Sequence, residues 1–146
     1  GCTYRLDLPA VGNRKLCVPP QHTTMPMPLP NPVSTDTAEH YAWGDGCDGW
    51  HLLREPHLSV IAERVPAGAA ETAHTHAQAH QFFYILEGEA VMELGDGHVA
   101  LRAGQGLHVP PGQPHRFVNA SSSEVRFLVV SSPPSHGDRT NLDPRS

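Results

Sequence analysis

Hydrophobic residues along this chain come in short runs separated by turn signals, not in long helical periods. Residues 50–53 are followed by Arg54-Glu55-Pro56, and residues 58–65 by Pro66-Ala67-Gly68. Residues 81–86 end at Glu87-Gly88-Glu89, and residues 90–94 at Gly95-Asp96-Gly97, a strong hairpin turn. Residues 98–101, 107–109, 115–118 and 125–130 complete the set, punctuated by Ala103-Gly104 and Pro110-Pro111-Gly112. About eight short strands, spaced roughly 8–12 residues apart, predict an all-β antiparallel sandwich or barrel. No amphipathic stretch is long enough for a helix.

The flanks read differently. Six prolines fall within residues 19–32, which excludes a regular helix or a central strand there. Residues 1–36 are expected to be an extended, Pro-rich N-terminal arm, with a weak edge strand at 4–8. Residues 37–131 are the barrel domain. Residues 132–146 read as a polar C-terminal tail, with a lid over a pocket mouth as the alternative. Trp43 and Trp50 flank Gly44-Asp45-Gly46-Cys47-Asp48-Gly49, which reads as a loop; it lacks the closing Glu of a calcium loop.

A length of 146 residues fits one domain, and 13 Gly, 15 Pro and 17% charged residues argue against a helical bundle. The net charge is -5 with only 10 Lys and Arg, so nucleic acid is not an expected partner. No apolar run approaches a membrane span, so no membrane partner is expected. Three cysteines without metal-type spacing, and no leader-like pattern in residues 1–8, point to a cytoplasmic protein. The unusual count is 11 His, which outnumber Lys and Arg together. Their positions must decide what they mean.

Three features stand out. In His74-Thr75-His76, residues i and i+2 of a strand share a face, so two imidazoles can converge on one point. A bare His-x-His is more often a pair of surface histidines. Gln81 heads the apolar run 82–86, where it can point into a barrel or end the strand in solvent. His115 follows Pro110-Pro111-Gly112-Gln113-Pro114, a tight turn that aims the side chain or leaves it at the surface.

Together these residues resemble the cupin family. Gly68, His74, His76, Gln81 and Gly88 match its first motif, G-x5-H-x-H-x4-E-x6-G, at every spacing, with Gln81 in place of Glu. Gly104, Pro110, Gly112, His115 and Asn119 match its second, G-x5-P-x-G-x2-H-x3-N, throughout. The resemblance covers residues 55–131 and implies a double-stranded β-helix, the jelly-roll barrel. It also implies one divalent transition metal, Mn, Fe, Co, Ni or Zn, held by His74, His76, Gln81 and His115.

Replacing Glu by Gln leaves the metal its full charge, because every ligand is then neutral. Such a site favours Lewis-acid work and anionic ligands over oxidation. Some small cupins with this ligand set ketonise unsaturated sugar acids, and others with related ligands cyclise polyketides. The resemblance therefore implies an isomerase- or lyase-type enzyme acting on a small, anionic, oxygenated metabolite. The alternatives are an Fe- or Ni-dependent dioxygenase and a non-catalytic sensor or ligand-binding cupin. His80, Tyr84 and Glu63 are candidates for the proton-moving group. Arg126 is a weaker candidate for holding a carboxylate. Phe83, Phe117 and Phe127 are expected in the core or the cavity wall, and His108 beside the site. Small cupins commonly form homodimers, so a second copy is the expected protein partner.

Overall fold

A computed structural model describes residues 25–142 of the chain. Its strands are β1 (Glu39–Trp43), β2 (Cys47–Glu55), β3 (Leu58–Val65), β4 (His74–His76), β5 (His80–Glu87) and β6 (Glu89–Leu94). They continue with β7 (Gly97–Arg102), β8 (Gly106–Val109), β9 (His115–Val118), β10 (Val125–Ser132) and β11 (Arg139–Asn141). No helix occurs among the described residues, hence none long and apolar enough to cross a membrane.

The strands form two sheets, in the orders β1-β2-β3-β10-β5-β8 and β11-β4-β9-β6-β7, and every pairing is antiparallel. From β3 to β11 the chain passes repeatedly between the sheets. Apart from the β6–β7 hairpin, consecutive strands from β3 onward lie in opposite sheets. Alternation along the strands fills it. On β10, Val125, Phe127, Val129 and Ser131 are buried while Arg126, Leu128 and Val130 are only half-buried on the other face. Arg126 pairs there with Glu124 at 3.5 Å, away from the core. Phe117 and Phe127 stack with centroids 4.1 Å apart, and Phe83 lies 6.1 Å from each. These aromatics bury the most apolar area per residue and anchor the two sheets to one another.

Motif residues outside the metal set have structural work. Gly88 joins β5 to β6 at φ 83, and a Cβ there would run into Glu124 O at 2.6 Å. Asn119 is buried and donates from its amide to Val65 O, Pro66 O and Ser123 O at 3.0, 3.2 and 2.8 Å.

Three expectations about the chain's organisation change. Of the segment expected as a loop, only residues 44–46 form a turn, between β1 and β2, and residues 47–50 belong to β2, because Trp43 and Cys47 pair directly. Its Asp48 is bound to Arg64 and His40. The tail is structured, since β11 pairs with β4 and adds a strand to the second sheet. The compact body begins at Pro32, some residues before the expected boundary at 37. Residues 25–34 carry no helix or strand. The edge strand expected at 4–8, and most of the arm, lie outside the described residues.

Candidate functional site

His74, His76 and His115 are all buried, and one ring nitrogen of each lies within 4.8 Å of the others. The pairing of β4 with β9 places His74 directly opposite His115. Burial, reinforced by the neighbouring histidines and Arg139, pushes each imidazole toward its neutral form, His74 to about 3 and the other two below the usual histidine value. A neutral imidazole has one N–H, and here its destination is plain. Nδ1 of His74 donates to Thr72 O at 2.7 Å, Nδ1 of His76 to Asp138 O at 2.9 Å, and Nδ1 of His115 to Gln113 O at 2.9 Å. Nε2 of each ring is left with its lone pair. This is how backbone carbonyls orient metal-binding histidines.

Gln81 faces the same point from β5. Its amide nitrogen donates to Ser131 Oγ at 3.2 Å, which turns Oε1 toward His115. Oε1 then lies 3.1 Å from the His115 Nε2 lone pair. Two buried acceptors at that separation, with no hydrogen between them, repel each other unless a cation is near both. The donor set fits a divalent transition metal: three imidazole nitrogens and an amide oxygen. Three buried histidines this close can bind a metal, and nothing in the donors selects one ion among Mn, Fe, Co, Ni and Zn.

Three of the four expected ligands, His74, His76 and Gln81, line a cavity of about 230 Å³. Its other walls include Tyr41, Trp43, Glu63, Glu71, Phe83 and Arg139. Glu63 and Glu71 are the acidic groups among its lining residues. Burial pushes Glu63 up to about 8, reinforced by the charge of Glu71, and burial pushes Glu71 up to about 7. The Glu71 carboxylate accepts the Phe117 N–H at 3.0 Å. The Tyr41 hydroxyl donates to Glu63 Oε1 at 3.3 Å. Tyr41, Gly49 and Glu63 form one row across β1, β2 and β3, and a Cβ on Gly49 would strike the Tyr41 ring. The glycine thus clears the path by which the phenol reaches the carboxyl.

The proton-moving candidates divide by strand parity. Glu63 lines the cavity. His80 and Tyr84 are exposed on β5, whose inward residues are Gln81, Phe83 and Ile85. They point to the other side of the sheet, so neither reaches the cavity. His80 Nδ1 instead meets His108 Nε2 at 3.0 Å, and the two rings stack on the outer surface. His108 is therefore not beside the site. The residues missed from the sequence are Tyr41, Glu71, Ser131 and Arg139. Ser131 was readable, because it shares the inward parity of Val125, Phe127 and Val129. Tyr41 and Arg139 depend on the pairings of β1 and β11, which the apolar pattern did not reveal.

Comparison with known proteins agrees with the fold and the motifs. The family Cupin_2, cupin domain, matches residues 62–131, which hold all four expected ligands. An uncharacterised protein of Methanocaldococcus jannaschii is 32% identical over 86 residues, covering 58% of this chain and 69% of that protein. The chain spans about half the length of further curated relatives that it matches. Among solved structures, KdgF from a Halomonas species superposes with TM-score 0.65 at 20% identity, covering 71% of this chain and 95% of that one. The polyketide cyclase RemF from Streptomyces resistomycificus gives TM-score 0.67 at 20% identity, covering 79% and 87%. These superpositions establish the jelly-roll barrel. With two sheets, both sequence motifs and three motif histidines gathered at one point, the chain belongs to the cupin superfamily.

Proposed function

We propose that the protein is a metal-dependent isomerase- or lyase-type enzyme that moves a proton on a small, anionic, oxygenated metabolite without net oxidation. The observation that carries this is the ligand set, in which three imidazoles and the Gln81 amide oxygen are all neutral. A divalent metal held by His74, His76, His115 and Gln81 would keep its full charge and polarise a carbonyl or enol oxygen. The rest of the cavity suits proton movement. Glu63, raised to about 8, is mostly protonated near neutral pH, and Glu71, at about 7, is divided between its two forms. A carboxyl poised near the working pH can both give and take a proton. Tyr41 holds Glu63 in place by its hydrogen bond. Phe83, Ile61 and Val129 line the cavity with apolar surface, which limits water around the reacting atoms. RemF, a structural neighbour, is named as a polyketide cyclase.

Elemental analysis tests the metal first. Close to one transition-metal ion per chain is expected, lost in the double substitution His74→Ala, His76→Ala; a double variant that keeps its ion places the metal elsewhere. Turnover in D2O then tests the reaction class across a panel of enolisable carboxylates and diketones. Solvent deuterium should enter the product at carbon with no oxygen consumed. Oxygen uptake with cleavage of diketones or flavonols by iron-loaded protein would instead assign the dioxygenase reading.

A further inference from the structure

The C-terminal residues form one wall of the cavity. β11 pairs with β4 in the register Arg139↔His76, Thr140↔Thr75 and Asn141↔His74, and the Leu142 N–H donates to Ala73 O at 2.8 Å. Just before β11, the Asp138 carboxylate accepts the N–H groups of Ala77, Gln78 and Ala79 at 3.0, 2.9 and 2.9 Å. That latch spans the turn between the ligands His76 and Gln81. The strap it secures brings Ser135, His136, Gly137 and Arg139 to the cavity.

Arg139 is the one Arg or Lys among the cavity's lining residues. Its Nε–H donates to Asn141 Oδ1 at 2.7 Å and its Nη2 to Thr72 O at 3.2 Å, both neutral acceptors. Among the described residues it has no carboxylate within ion-pair distance, whereas Arg54, Arg116 and Arg126 each have one and Arg64 has two. Two hydrogen bonds hold the guanidinium and leave three of its five N–H groups unused. That remainder suits a bidentate bond to a carboxylate. Glu63 and Glu71 share the cavity, and burial favours their neutral forms, Glu63 more fully than Glu71, so a monoanion meets less repulsion there than a dianion. Inorganic phosphate, a mixture of mono- and dianion near neutral pH, meets more.

We propose that Arg139 is the specificity-determining residue of this cavity, and that it binds the carboxylate of a small hydroxy- or oxo-acid lying between the strap and the histidine cluster. This rests on the reading of the cavity as a substrate site, but its test is separable from the metal. Calorimetric titration of the purified protein with lactate, lactamide and inorganic phosphate reads it directly. Lactate should bind, and lactamide should bind at least ten-fold more weakly. Arg139→Gln should weaken lactate at least ten-fold, and Arg139→Lys should restore part of the loss. Metal content and melting temperature, measured on the same samples, should not move. Equal lactate affinity in wild type and Arg139→Gln overturns the proposal while leaving the metal reading intact. So does lactamide or phosphate binding as tightly as lactate, or a wild type that does not bind lactate. A protein without metal that still shows the Arg139 dependence keeps this proposal and sinks the Lewis-acid reading.

Discussion

Gly49 sits between Tyr41 and Glu63 in one cross-strand row, and its missing side chain is what lets the phenol reach the carboxyl. Burial, reinforced by the charge of Glu71, raises the pKa of that carboxyl, and the hydrogen bond from Tyr41 offsets only part of the rise. Its effect on stability has a definite sign. In the unfolded chain Glu63 titrates near 4.5, and in the fold at about 8. Below the lower value both states hold the proton, and the contribution is fully present. Between the two values the unfolded chain has released its proton and the fold has not, so stability falls as pH rises and the contribution is gone above about 8. Glu63→Gln keeps the acceptor for Tyr41 but does not titrate. Thermal midpoints of wild type and variant, measured from pH 5 to 9, should diverge in the variant's favour as pH rises. Parallel midpoints would show that Glu63 titrates as an ordinary carboxylate.

At the scale of the element, β5 shows what alternation decides and what it leaves open. Its inward residues Gln81, Phe83 and Ile85 are buried, while His80, Phe82, Tyr84 and Leu86 are exposed. Phe117 is fully buried against Phe127 and Phe83, so Phe117→Ala should cost about 3–5 kcal/mol. Tyr84→Ala, on the exposed face, should change stability by only about 0.5 kcal/mol. Urea midpoints of the two variants would check the contrast, and a Tyr84→Ala loss as large as that of Phe117→Ala would refute this assignment of faces. The barrel strands and the ligand positions were legible because each rests on local signals: apolar runs, turns and motif spacing. The same alternation excludes His80 and Tyr84, which the sequence reading kept as candidates, because β5 runs unbroken through them with Gln81 inward. The second half of the site was not legible. Glu71 lies on an irregular connection before β4, with no period to orient it. Tyr41 and Arg139 sit on β1 and β11, the edge strands of the two sheets, whose polar residues carry no strand pattern. Their positions follow from long-range pairing, with Arg139 brought opposite His76 across 63 residues of chain (139 minus 76).

At the scale of the whole molecule, we propose that the expected homodimer forms through the outer face of the six-stranded sheet. Two cross-strand rows lie side by side there: Val60, Val130, Phe82 and His108, and next to them Leu128, Tyr84 and Gly106, with the buried Ala62 at the row's end. Phe82 is 44% exposed and Tyr84 39%, and the rows continue each other across β3, β10, β5 and β8. Scattered surface apolar residues are ordinary, but a contiguous patch on a sheet marks a contact surface. A two-fold dimer would set this face against itself, so any charge placed on it meets its own copy across the axis. Phe82→Glu with Tyr84→Glu would then introduce like charges into a desolvated interface without touching the core, since both side chains point outward. Wild type is expected to sediment at twice the mass of the chain and the double variant at the mass of one. Circular dichroism and metal content should be the same in both, because the ligands lie on the opposite side of β5. A wild type that sediments as a monomer at micromolar concentration would remove the dimer. A double variant that stays dimeric would move the interface to another face.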